Sequence, residues 1–188
     1  NAMANATGSQ QKPAQTDKEV RIKSGTYTMG NNLIVGDIAY QISMSGTDNT
    51  YVSALTVNGS YNESGIQDFG QPTVLTGSNG NNDVTLLSVA TNGKPVNISG
   101  LSFQEAKIGL NTTSGNGKLT LKNSAFRKTG EFGMKISDAA NEGALIANTL
   151  FADGETGLNV VSGSQVKVVN ATFANNNVAG INGSAEVY

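Results

Sequence analysis

The 188-residue sequence contains no cysteine, no histidine and no tryptophan. Without cysteine there are no disulfides and no thiolate metal sites, although this alone does not identify a compartment. Without histidine the His-dependent nucleophilic triads are excluded, and the usual His/Cys zinc sites go with them. Charge is sparse too: 14% of residues are charged and the net charge is −2. Lys and Arg are scattered, with Arg21/Lys23 and Arg127/Lys128 the tightest groups, so there is no electrostatic footprint for nucleic acid or acidic lipid. No apolar run approaches the roughly 20 residues of a membrane-spanning helix. Nor does any segment of ten or more residues between apolar runs carry a helical stripe, which argues against βαβ crossovers.

What the sequence does have is a repeat. Val96–Phe103, Leu119–Phe126, Ala144–Phe151 and Val166–Phe173 are four copies of one phrase, and their phenylalanines stand 23, 25 and 22 residues apart. After each comes a polar stretch, then a glycine and an apolar residue: Gly109-Leu110, Gly133-Met134, Gly157-Leu158 and Gly180-Ile181. A fixed period in this range signals a solenoid. Within each copy Val96/Ile98, Leu119/Leu121, Ala144/Ile146 and Val166/Val168 alternate with other residues, the period of a strand with one buried face. Gly100, Asn123, Asn148 or Asn170 then interrupts the run, and these types tolerate the left-handed backbone of a turn.

Short strands turned by Gly or Asn satisfy their backbone by coiling, each coil pairing in parallel with the next at about 4.8 Å. Equivalent residues then stack. Phe103, Phe126, Phe151 and Phe173 are expected to form one internal column, and Asn123, Asn148 and Asn170 one ladder of amides.

This pattern resembles the right-handed parallel β-helix of the pectin-lyase-like superfamily. Among its members the likeness is nearest to secreted and surface bacterial repeat proteins of the polymorphic outer-membrane-protein type. The resemblance runs from Val20 to the end and is most specific over Val96–Ile181. It implies an all-β fold, a single-stranded right-handed parallel β-helix of about 22–25 residues per coil. Handedness comes from the resemblance and from the general rule for parallel crossovers.

In chain order, Asn1-Ala2-Met3 reads as a cleavage scar plus an initiator methionine, and residues 1–18 as that scar with a disordered lead-in. Residues 19–188 are the expected β-helix domain. Val20–Tyr27 opens it, with Arg21 and Lys23 facing outward. Arg21-Ile22-Lys23 also spells a tripeptide of galacturonases, but that family couples it to several aspartates and a Gly-His-Gly that this chain lacks. Leu33–Val35, Ile38–Met44, Leu55–Val57 and Val84–Val89 supply further strands. Gly59-Ser60-Tyr61, then Asp68 and Pro72–Gly77, resembles a phrase of secreted bacterial β-helix proteins in which Ser60 would be glycine. Tyr61–Gln71 is read as a long loop that leaves the coil. Ala185–Tyr188 begins another strand with nothing after it, so the chain is expected to be a fragment of a longer protein or to be capped by end-to-end or side-by-side self-association.

Candidate chemistry gathers after each phenylalanine. Glu105, Lys128, Asp153 and Asn175 follow it by two residues, with Arg127 and Glu155 nearby, the one place where carboxylates and a guanidinium from neighbouring coils would meet. One reading is a polysaccharide-lyase site, in which carboxylates hold calcium and a basic group abstracts a proton. The other is a column of exposed, alternating charges worth little energy. The sequence offers no adjacent Asp pair for a glycoside hydrolase. The chain is therefore expected to be a non-catalytic, exported bacterial surface protein with an adhesin-type scaffold, no catalytic or metal-ligating residues and no cofactor. Its expected partner is a polysaccharide or a cell-surface ligand. The alternative is a carbohydrate-active domain, lyase-like with calcium, or carbohydrate-binding without catalysis, in which Glu105, Arg127, Lys128, Asp153 and Glu155 touch the ligand.

Overall fold

A computed structural model describes residues 16–28, 38–43, 52–77, 83–90, 93–113, 117–137, 143–161 and 164–188. The chain is all β: the described residues form fifteen strands in one parallel sheet, wound on itself as a right-handed solenoid. Three strips of paired strands run along it. The first joins β1 (Thr16–Lys23), β4 (Val52–Tyr61), β7 (Val96–Ser99), β9 (Leu119–Ile136), β10 (Ala144–Ala152), β12 (Val166–Val169) and β15 (Glu186–Val187). The second runs from β2 (Gly25–Thr28) through β5 (Thr73–Thr76), β8 (Leu101–Thr112), β9 and β10 to β13 (Thr172–Ala174). The third joins β3 (Ile38–Ser43), β6 (Thr85–Ala90), β8, β9, β11 (Thr156–Val160) and β14 (Ala179–Asn182).

The register is the one that the repeat dictates. Val96 pairs with Leu119, Leu119 with Ala144, and Ala144 with Val166. Ile98, Leu121, Ile146 and Val168 make the adjacent buried column. The four phenylalanine rings lie nearly parallel, with centroids 4.7, 4.8 and 4.9 Å apart. Ring atoms in contact are about 3.5 Å apart, so rings at this spacing are slipped sideways by about 3 Å, the offset stack that aromatic quadrupoles favour.

Corners are sharper than the sequence indicates. Asn123, Asn148 and Asn170 each sit at φ 49°, and one left-handed residue suffices to turn the chain from the first strip to the second. A second column of left-handed residues, Glu105, Lys128, Asp153 and Asn175 (φ 52–59°), turns it again between the second and third. The stretch read as a loop after each phenylalanine is thus largely a one-residue corner with sheet pairing on both sides.

Gly109, Gly133 and Gly157 have a different role, because none has positive φ. A Cβ on Gly133 would lie 2.6 Å from the Gly157 carbonyl oxygen and 3.0 Å from Cδ1 of Phe151. On Gly109 it would meet the Gly133 oxygen at 2.6 Å and Phe126 at 2.7 Å. The glycine column is the space that the phenylalanine column fills. In the coil before it, Leu75 pairs with Phe103 and buried Leu86 falls level with Gly109, so a Leu–Leu pair stands where the later coils have Phe–Gly.

The N-terminal coils are longer than the period. Val20 pairs with Val57 and Val57 with Ile98, which makes coils of 37 and 41 residues. Strand β1 begins at Thr16, so residues 16–18 of the expected lead-in belong to the sheet, a correction to the boundary at 18/19. Asp17 accepts a 2.6 Å hydrogen bond from Ser53 of β4. Residues 1–15 and the expected strand at Leu33–Val35 lie outside the described residues.

Candidate functional site

The solenoid brings the predicted site residues onto one exposed ridge, because each is at, or next to, the second corner of its coil. Lys128 Nζ lies 3.6 Å from Glu105 Oε1 on the coil before. The alternating column predicts that Lys128 also reaches Asp153; instead Arg127 Nη1 takes that place at 3.7 Å. The reason is register: Arg127 is level with Gln104 and Ala152, which leaves its long side chain free to lean toward the next corner. Asn175 Nδ2 continues the column, donating to Asp153 Oδ1 at 3.1 Å. Lys107 and Glu131 add a looser pair at 3.8 Å. Every one of these charged groups is about 40% exposed or more, which limits each pair to well under about 1 kcal/mol.

Glu155 is exposed and takes part through its backbone. Its N–H donates to the Thr129 carbonyl at 3.0 Å, and its own carbonyl accepts from Val178 N–H at 2.8 Å. Between the corners, Lys128, Gly130, Asp153, Glu155, Asn177 and Val178 border a shallow groove of about 450 Å³. Among the described residues there is no group of three or more Asp or Glu side chains placed to hold one ion. Asp153 is already engaged by Arg127 and Asn175. This donor set does not fit the calcium site of the lyase reading.

The amide ladder forms on the opposite edge of the second strip. Asn148 Nδ2 donates to Asn123 Oδ1 at 3.3 Å, and Asn170 Nδ2 to Asn148 Oδ1 at 2.8 Å. All three residues are exposed. A further rung, Asn182 Nδ2 to Asn159 Oδ1 at 2.9 Å, joins β14 to β11. It was open to inference from the repeat, since Asn159 and Asn182 each stand two residues after the repeated glycine of their coil.

Near the N-terminal end, Arg21 pairs with Glu19 at 3.0 Å and lies over the Tyr61 ring at 5.3 Å from its centroid. Hydrogen bonds from Arg21 and then Asn58 hold the Glu19 carboxyl below the usual carboxylate range. Lys23 binds Glu63 at 2.7 Å. Both cations face outward, as the alternation of Val20 and Ile22 requires. Tyr27 and Tyr61 nearby are partly exposed.

The residue that sequence reasoning missed is Phe69. It is 51% exposed, and Ile66 beside it is 64% exposed, both on the loop between β4 and β5. That loop is held at many points. Asn62 Oδ1 accepts from Ser64 and Ile66 N–H, both at 3.0 Å, and Asp68 N–H donates to the Ser60 carbonyl at 2.6 Å. Gln67 Nε2 reaches the Gly59 carbonyl at 3.0 Å. Exposed apolar side chains on a tightly bonded loop have no sequence signature beyond the loop itself. No helix among the described residues is long and apolar enough to cross a membrane.

A scan against protein-family models finds no matching family, and searches of curated proteins and of solved structures find no match to this chain.

Proposed function

We propose that this chain is the non-catalytic scaffold of an exported bacterial surface protein, a rigid rod whose corners and loops are held out for contact with a polysaccharide or a cell-surface ligand. The observation that carries this reading is the pairing on the ridge. Glu105 is matched by Lys128, and Asp153 by Arg127 and Asn175, on exposed corners rather than around an enclosed reaction centre. General acid–base chemistry needs a group held within hydrogen-bond reach of its substrate and tuned by its surroundings. Solvated pairs on a ridge supply neither. The bacterial and exported part of the proposal is supported by the resemblance to the pectin-lyase-like superfamily and its surface repeat proteins.

A second reading, a carbohydrate-active domain, is favoured by the groove between Lys128 and Val178 with Arg127 at its side. The two separate in one assay. With polygalacturonate and calcium, the scaffold yields no unsaturated product. Product formation that disappears in Arg127→Ala would overturn the proposal.

A further inference from the structure

The loop that carries Phe69 ends against the amide ladder. Gly100 occupies the ladder's column one coil before Asn123, and a Cβ on Gly100 would lie 3.2 Å from Cε1 of Phe69. The ring therefore stands where the ladder's next side chain would project. Phe69, Asn123, Asn148 and Asn170 make a single exposed line along the solenoid axis: an aromatic ring, then three amides at the spacing of the coils. Each amide uses one N–H or one oxygen lone pair per neighbour, which leaves further donors and acceptors turned to solvent. Alongside, the outward positions of the second strip include Gln104, Ala125, Arg127, Leu150 and Thr172, and exposed Lys122 adjoins Asn123 at the ladder.

We infer that this line is a binding strip for a neutral, hydroxyl-rich glycan, with one sugar ring stacked on Phe69 and hydroxyl groups bonded to the ladder amides. The inference rests on the scaffold reading and names the surface that the scaffold presents. Three features favour this partner. A ring whose backbone is pinned by the Asn62 and Asp68 bonds loses little freedom on binding. Side-chain amides offer both donor and acceptor to a hydroxyl, which is both in turn. None of the four side chains of the line is charged, and the charged residues that flank it, Asp68 next to Phe69 and Lys122 next to Asn123, are of opposite sign.

The test is affinity electrophoresis of the folded protein in gels containing mixed-linkage β-glucan, mannan, dextran or polygalacturonate, repeated with two variants. Phe69→Ala removes the stacking ring from an exposed position. Asn123→Gly removes an amide while keeping the left-handed φ, and Gly100 already shows glycine in that column. Retardation by at least one neutral glycan is expected, weakened about tenfold or more in Phe69→Ala and several-fold in Asn123→Gly, with little dependence on salt. No retardation by any neutral glycan would overturn the inference, as would retardation unchanged in both variants. So would retention by polygalacturonate alone that is lost in Arg127→Ala. Release of unsaturated product would instead remove the scaffold reading, whatever Phe69 contributes.

Discussion

Gly133 and Asn148 show how two residues usually grouped as turn formers do different work. Gly133 has ordinary backbone angles, and what it supplies is the missing Cβ. Gly133→Ala forces a methyl against the Gly157 carbonyl and the Phe151 ring and should destabilise by about 1–3 kcal/mol, seen as a lower denaturant midpoint. Asn148 is there for its φ of 49° and for its two ladder bonds. Asn148→Ala should cost about 1–2 kcal/mol for the left-handed backbone, with the lost hydrogen bonds in addition. Asn148→Gly keeps the turn and should lose less, so the ranking native, Gly, Ala in thermal melts checks the assignment. The phenylalanines and the ladder asparagines were legible in the sequence because their spacing fixes their register. The purpose of the glycines was not, since the ring that a Cβ on each would meet belongs to the next coil, as Phe151 does for Gly133. Nor was the second corner: Glu105, Lys128, Asp153 and Asn175 share a backbone angle but no side-chain chemistry.

Among the elements, the excursion between β4 and β5 is the one whose anchoring is clearest. Thr73, fully buried at the start of β5, donates to the Lys23 carbonyl at 2.7 Å and accepts from Ser60 N–H at 2.8 Å. It ties β1, β4 and β5 together at the point where the loop returns. Ser60 itself is at φ 65° where the resembling phrase has glycine, and its hydroxyl bonds the Gly100 carbonyl at 2.9 Å. The serine accepts backbone strain in exchange for a cross-coil bond. Thr73→Val keeps the shape but strands the buried Ser60 N–H, and should destabilise by about 1–3 kcal/mol. Amide exchange should then accelerate first at Ser60 and Asp68, while the Phe103–Phe173 coils keep their protection. The sequence marked this loop by Pro72 and Asp68, yet its apolar tip escaped notice, because exposure of Ile66 and Phe69 depends on bonds made by Asn62 and Gln67 rather than on their own types.

For the molecule as a whole, stability is distributed coil by coil, since every strand pairs only with the coils before and after it. The regular coils from Val96 onward were readable because nothing interrupts their period. The two before them are stretched to 37 and 41 residues, which hides the column in which Leu75 and Leu86 replace phenylalanine and glycine. The aromatic stack from Phe103 to Phe173 is what holds the regular coils in register. A nuclear Overhauser spectrum of protein labelled at its phenylalanine rings tests that stack most directly. Stacked rings give cross-peaks that connect Phe103 to Phe126, Phe126 to Phe151 and Phe151 to Phe173 in that order; rings that show no mutual contact, or a Phe103, Phe126 or Phe151 ring accessible to a solvent paramagnet, would contradict the coiled architecture.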